Sequence, residues 1–232
     1  MGGRARPRRP TAALRVTGVG ADRPQGAPAA PGRPRIGLLG GTFDPPHVGH
    51  VAIAEACRDE LRLDRLLLTV ANDPWQKAPA RRITPAEDRF AMVVAAAEGL
   101  RGIEASRLEL DRGGPSYTVD TVEQLRADAR RLHQPVPELF VVVGADLLAT
   151  LDTWHRYRDL QRQVTLVVVP RPDVPPHDPP AGWRSVELTG PRLAVSSSAV
   201  RALLEAKKPV DGLVPEPVMR CIRRRHLYAV GR

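Results

Sequence analysis

The feature that most restricts the fold is a short apolar run closed by paired glycines: Ile36, Gly37, Leu38 and Leu39, then Gly40-Gly41. A strand with no polar alternation is covered on both faces, which is the habit of a parallel sheet. Similar runs recur at 66–70, 139–143 and 164–169, that over 139–143 closed by Gly144. Helical patterns separate them, over 47–61, 84–98 and 118–131. Such alternation predicts an α/β protein built on a doubly wound, Rossmann-like parallel sheet with helices on both faces. Residues 196–206 and 215–225 read as a closing C-terminal helical segment. Finer expectations are an edge strand over 107–111 and an N-cap at Thr84, with Phe90, Val93, Val94 and Ala97 facing inward.

Charge narrows the partners. The chain has 232 residues, enough for one ordinary domain, and a net charge of +9. The first 35 residues hold eight arginines and one acid, which leaves only +2 for the rest. Those 35 residues also hold six prolines and six glycines. Residues 1–34 are expected to form a disordered basic extension, and 35–232 a single domain. A nearly neutral body with 4% aromatics does not suit a nucleic-acid grip or a stacking platform. No apolar run reaches the roughly 20 residues of a membrane span. Two cysteines build no disulfide framework, so a reducing cytoplasm is expected.

Ligands of such sheets bind beyond the carboxyl ends of the strands. The loop after the first run is the densest in chemistry: Gly40-Gly41-Thr42-Phe43-Asp44-Pro45-Pro46-His47-Val48-Gly49-His50. Paired glycines let backbone N–H groups approach a phosphate. His47 and His50 lie three apart at a helix start, on one face, in the field of the helix N-terminus. A lone pair of histidines at this spacing is more often a helix cap. The dinucleotide pattern GxGxxG fails because Leu39 stands where glycine is needed, and no Gly-Lys pair exists for a P-loop. Zinc lacks a third ligand in reach, since Cys57 lies two turns on.

This segment resembles the first signature of the HxGH nucleotidyltransferase superfamily. Val195-Ser196-Ser197-Ser198-Ala199-Val200-Arg201 resembles the second, usually spelled I-S-S-T-x-I-R. Ser116-Tyr117-Thr118-Val119-Asp120-Thr121, Gly144-Ala145-Asp146, Asp152-Thr153-Trp154 and Pro74-Trp75-Gln76-Lys77 are similar to the bacterial nicotinate-mononucleotide adenylyltransferases. The resemblance covers about 36–229. Three positions depart from the family's spelling: Pro46, Gln76 for the histidine of P-H-K, and Asp173 where glycine usually follows Arg-Pro.

The resemblance implies adenylyl transfer from ATP to nicotinate mononucleotide, a step of NAD biosynthesis. It places ATP over the backbone of Gly40, Gly41, Thr42 and Phe43. His47 and His50 would contact its phosphates, with His50 nearest the α-phosphate. Gly144 and Asp146 would hold the adenosine, and Ser197 and Arg201 the departing phosphates. Lys77 would bridge the reactants. Trp154 would stack on the pyridine ring, while N–H groups around Thr118 and Trp154 receive its carboxylate. Arg171 would bind the mononucleotide phosphate. Mg²⁺ would ride mainly on ATP phosphates and water, with no protein ligands expected.

By themselves the residues keep blander readings. Trp154 could pack the sheet, Lys77 could be a solvated lysine, and Asp146 and the serines could be helix caps. His133, His155, His177 and His226 read as surface or packing residues. Competing functions are transfer to nicotinamide mononucleotide or phosphopantetheine, nucleic-acid binding through the extension, and a nucleotide-binding regulator without turnover. Oligomeric state is left open, a homo-oligomer included.

Overall fold

A computed structural model describes residues 16–17, 32–73, 83–171, 174–175, 177–190 and 194–229. In chain order its strands are β1 (Val16–Thr17), β2 (Arg35–Gly41), β3 (Arg65–Val70), β4 (Ile103–Ser106), β5 (Glu138–Gly144), β6 (Val164–Val169) and β7 (Ser185–Glu187). Its helices are α1 (Val48–Glu60), α2 (Ala86–Ala97), α3 (Leu108–Arg112), α4 (Thr118–Arg131), α5 (Tyr157–Gln163), α6 (Ser197–Glu205) and α7 (Glu216–Arg224), with 3₁₀ turns at Ala145–Thr153 and Leu227–Ala229.

The strands form one sheet in the order β4-β3-β2-β5-β6-β7-β1. Strands β2 to β7 are parallel, as the uninterrupted apolar runs predict. Only β1 is antiparallel, pairing Val16 with Val186 and Thr17 with Ser185. These two residues belong to the expected disordered extension, and the rest of 1–31 lies outside the described residues. The winding reverses between β2 and β5, where loops diverge to opposite faces and open a crevice.

Side-chain alternation splits the core into two layers. Leu39, Leu66, Leu68, Phe140 and Val142 point to one face, beneath Ala54 and Cys57 of α1 and Val93 of α2. Ile36, Leu38, Leu67, Leu139 and Val141 point to the other, beneath Val119 and Val122 of α4, Leu148, Leu151 and Leu160. A third cluster joins Met92 and Ala96 of α2 to Val200, Leu204, Val218 and Ile222 of α6 and α7. The closing helices are therefore anchored to the body through α2.

Two local expectations need correction. Residues 107–111 are not an edge strand; the strand is Ile103–Ser106, and Leu108–Arg112 is helical. Leu108 packs on one core layer and Leu110 on the other, which imitates strand alternation. Arg107 also closes an i,i+4 ion pair with Asp111 at 3.0 Å, an interaction that helical spacing supplies. In α2, Pro85 rather than Thr84 holds the N-cap position. Its buried residues are Arg89, Met92, Val93 and Ala96, while Val94 is 49% exposed. The helix sits between two apolar clusters, so its buried stripe is wider than, and rotated from, a single-face pattern.

Among the described residues no helix is long and apolar enough to cross a membrane. The cysteines are free and buried, Cys57 in the sheet layer and Cys221 among the closing helices. Burial, reinforced by the charge of Glu60, pushes the Cys57 thiol up to about 12. A thiolate-selective disulfide reagent at pH 8 is therefore expected to leave both cysteines unmodified in the native protein and to label both in urea.

Candidate active site

The crevice at the carboxyl ends of β2 and β5 is a cleft of about 530 Å³. Gly40 lines it, and a Cβ there would meet nothing within 4 Å, so the strand end is bare toward the cleft. The chain then turns through Phe43, at φ 50°, and a cis Asp44–Pro45 bond into α1. Asp44 is 1% exposed and ties this turn down. Its carboxylate accepts the Tyr228 hydroxyl at 2.5 Å, and its carbonyl accepts Arg201 Nη1 at 2.6 Å. Burial first, and the bond to Asp44 second, push the Tyr228 hydroxyl far above its ordinary value, so it stays a donor.

His47 is the N-cap residue of α1. Its ring stacks on that of His50 with centroids 3.7 Å apart. The His47 N–H donates to His50 Nδ1 at 3.2 Å. With Nδ1 an acceptor, a neutral His50 ring carries its proton on Nε2. Gly49 between them does not keep space for a ligand. A Cβ there would lie 2.8 Å from Val195 Cγ1 and 3.0 Å from His47 Nδ1. The glycine instead lets the second signature segment close on α1.

That segment arrives as the N-terminus of α6. Ser196 caps it, accepting the Ala199 N–H at 3.2 Å. Ser197 Oγ donates to the Pro45 carbonyl at 2.9 Å. Arg201, one turn on, reaches Asp44 and donates to Ser198 Oγ at 3.0 Å. The two signatures, about 150 residues apart in the chain, are thus stitched side by side.

The opposite wall comes from β5, β6 and α4. Gly144 ends β5, and a side chain there would collide with the Asp146 carboxylate. Asp146 accepts Arg171 Nε at 3.2 Å, an exposed pair at the cleft mouth. Thr118 opens α4, whose first N–H groups have no intrahelical partner, as at any helix start. Trp154 is half-buried, with its indole N–H enclosed and unpartnered among the described residues. Its backbone N–H reaches Leu151 O at 3.3 Å.

The sites expected from sequence therefore converge: Gly40, Gly41, Thr42, Phe43, His47, His50, Thr118, Gly144, Asp146, Trp154, Arg171, Ser197 and Arg201 all line this cleft. Lys77 lies outside the described residues. One supporting group went unread, and two others share a contact the sequence did not show. Tyr117, inside the 116–121 motif, stacks on His155 with centroids 4.2 Å apart on the cleft wall, and His155 is exposed, in keeping with its reading as a surface or packing residue. Glu109 is 8% exposed and accepts the Thr121 hydroxyl at 2.8 Å. Its signal was hidden by the mistaken edge strand.

Comparison with known proteins gives this cleft its context. The Cytidylyltransferase-like family model matches residues 38–203. A relative from Acidothermus cellulolyticus is 38% identical over 200 residues, 84% of this chain and 95% of that protein. One from Methylibium petroleiphilum is 42% identical over 212 residues, 88% and 96% of the two chains. Both carry the name "Probable nicotinate-nucleotide adenylyltransferase". The chain belongs to the nicotinate-nucleotide adenylyltransferase family. The fold of this adenylyltransferase-family chain is also that of the Plasmodium falciparum nicotinic acid mononucleotide adenylyltransferase complexed with NaAD. That match has a TM-score of 0.66 at 17% identity and covers 85% of this chain and 98% of the other.

His47 gives the adenylyltransferase cleft a measurable pH signature. Burial, and then the charge of Arg171, lower it from 6.5 to about 4. Between those values the unfolded chain binds a proton that the folded chain refuses. Stability is therefore full above 6.5 and declines as pH falls toward 4. At about 1.4 kcal/mol per unit, wild type is expected to lose about 2 kcal/mol more than His47→Asn between pH 7 and 4.5. Urea titrations of both proteins at the two pH values check this.

Proposed function

We propose that the cleft transfers the adenylyl group of ATP to the 5′-phosphate of nicotinate mononucleotide, giving nicotinate adenine dinucleotide and pyrophosphate. One observation carries this reading: the phosphate-facing glycines, the stacked histidines and Arg201 share a single cleft with the α4 N-terminus and Trp154. One wall suits a triphosphate, and the other suits an aromatic acid. A phosphate oxygen of the mononucleotide attacks the α-phosphorus in line with the departing pyrophosphate. The new P–O bond forms as the bridging bond to the β-phosphate breaks. The nucleophile is already an anion, so no protein nucleophile and no general base are needed. The protein supplies alignment and positive potential.

We assign the roles from the family resemblance and from where the described residues stand in the cleft. Backbone N–H groups of Gly40 to Phe43 lie along the triphosphate. His50 donates through Nε2 to the α-phosphate as charge builds, and neutral His47 braces it by stacking. Ser197 and Arg201 receive the leaving phosphates. Gly144 and Asp146 hold the adenosine. Trp154 and the first N–H groups of α4 hold the nicotinate ring and its carboxylate. Arg171 binds the mononucleotide phosphate, and Lys77 bridges the reactants. The cleft's donors are N–H groups and cations rather than a cage of carboxylates, which suits Mg²⁺ delivered on the triphosphate. The ion supplies charge neutralisation of the phosphates. Synthesis of a dinucleotide cofactor precursor fits a cytoplasmic protein.

The deciding experiment is pyrophosphate release with ATP and Mg²⁺, offering nicotinate mononucleotide, nicotinamide mononucleotide and phosphopantetheine in parallel. Strong preference for the nicotinate acceptor is expected. Preference for another acceptor discards the ring-pocket assignment, and silence from protein that still binds ATP favours a regulator. His50→Ala is expected to lose about 10²–10³ in kcat while keeping its circular dichroism spectrum. Near-normal kcat in that variant rejects the role given to His50. Removing 1–34 is expected to leave kcat/KM unchanged.

A further inference from the structure

Arg89 is a charged residue in an apolar place. It lies on α2, is 2% exposed, and neighbours Met92 and Val93 of the core. Its guanidinium spends four N–H donors on backbone carbonyls. Nε donates to Thr84 O at 2.8 Å. Nη1 donates to Thr42 O at 2.9 Å and to Ala71 O at 2.7 Å. Nη2 donates to Asn72 O at 3.2 Å.

Those four carbonyls belong to three different places. Thr42 sits in the loop after β2, between the glycines and His47. Ala71 and Asn72 begin the connection that leaves β3. Thr84 ends that same connection, just before α2. One planar cation thus gathers Ala71 and Asn72 after β3 and Thr84 before α2, and fastens them to the loop after β2. Burying a guanidinium is costly, and its return here is contact with carbonyls whose own helix or sheet partners are missing.

We propose that Arg89 is a positioning residue for adenylyl transfer, holding the ATP-side loop at Thr42 in fixed relation to the 71–84 connection. It touches neither reactant and acts through the backbone it grips. The proposal rests on the adenylyl-transfer reading of the cleft. No other side chain can replace it fully. Lysine keeps the charge but offers three donors from one point, which cannot reach carbonyls arrayed around a planar fork.

The test is steady-state kinetics of full-length wild type, Arg89→Lys and Arg89→Met, with ATP and nicotinate mononucleotide. Each protein is assayed at a temperature where near-ultraviolet circular dichroism shows it fully folded. ATP affinity is measured separately by calorimetry. A misplacement near 1 Å costs about 100-fold in rate, so Arg89→Met is expected to lose about that much kcat. Arg89→Lys should lose less, and ATP should bind both variants with nearly unchanged Kd. A purely structural residue would leave kcat of the folded protein untouched, and that result in both variants overturns the proposal. If Arg89→Met does not fold, wild-type kcat in Arg89→Lys overturns it alone. Failure of both to fold assigns Arg89 to stability and overturns it as well. An inactive wild type rejects the adenylyl-transfer reading and this proposal together, whereas an active wild type with unchanged variants rejects only this one.

Discussion

The buried Asp44 is the fixed point of the molecule. It receives Tyr228, 184 residues away, on its carboxylate and Arg201, 157 residues away, on its carbonyl. A carboxylate that is 1% exposed must be answered by donors, and Tyr228, which answers it, comes like Arg201 from the C-terminal third of the chain. The sheet could be wound without α6, α7 and the closing 3₁₀ turn. The cleft could not be closed without them, because they carry Ser197, Arg201 and Tyr228. Burial of one short acidic side chain thus couples the completion of the chain to the completion of the site.

The sheet was legible because a parallel strand is covered on both faces and so reads as an unbroken apolar run. The runs at 66–70, 139–143 and 164–169 fell within a residue or two of β3, β5 and β6. The shorter pieces did not announce themselves. Strand β7 has three residues, too few for any periodicity. Helix α3 hides because its two leucines serve two core layers. Helix α5 lies in sequence whose apolar residues are too sparse to mark a period.

At the cleft, legibility depended on whether a residue sits in a dense motif. The glycines, histidines, Ser197 and Arg201 do, and were readable on that ground. Groups outside such motifs were not. Arg89 looks like one more solvated arginine of α2, since nothing in its neighbours states that three loop segments need donors. Tyr228 looks like a terminal aromatic. Glu109 looks like the polar half of a strand. Gly49 was readable as small, but the atom it makes room for, Val195 Cγ1, becomes visible only once the two signatures are side by side.

The cleft's cations explain how such a site stays ordered before substrate arrives. Arg201 rests on the Asp44 carbonyl and Ser198, and Arg171 rests on Asp146. The Arg171–Asp146 pair is exposed and long, at 3.2 Å, and such a surface bond is modest. A phosphate oxygen beside Arg171 would make a shorter charge-assisted bond, so in the proposed reaction Arg171 would exchange partners. His47 completes the scheme from the other direction. Buried and neutral, it adds no repulsion to the arginines, and it leaves the positive potential of the cleft to them.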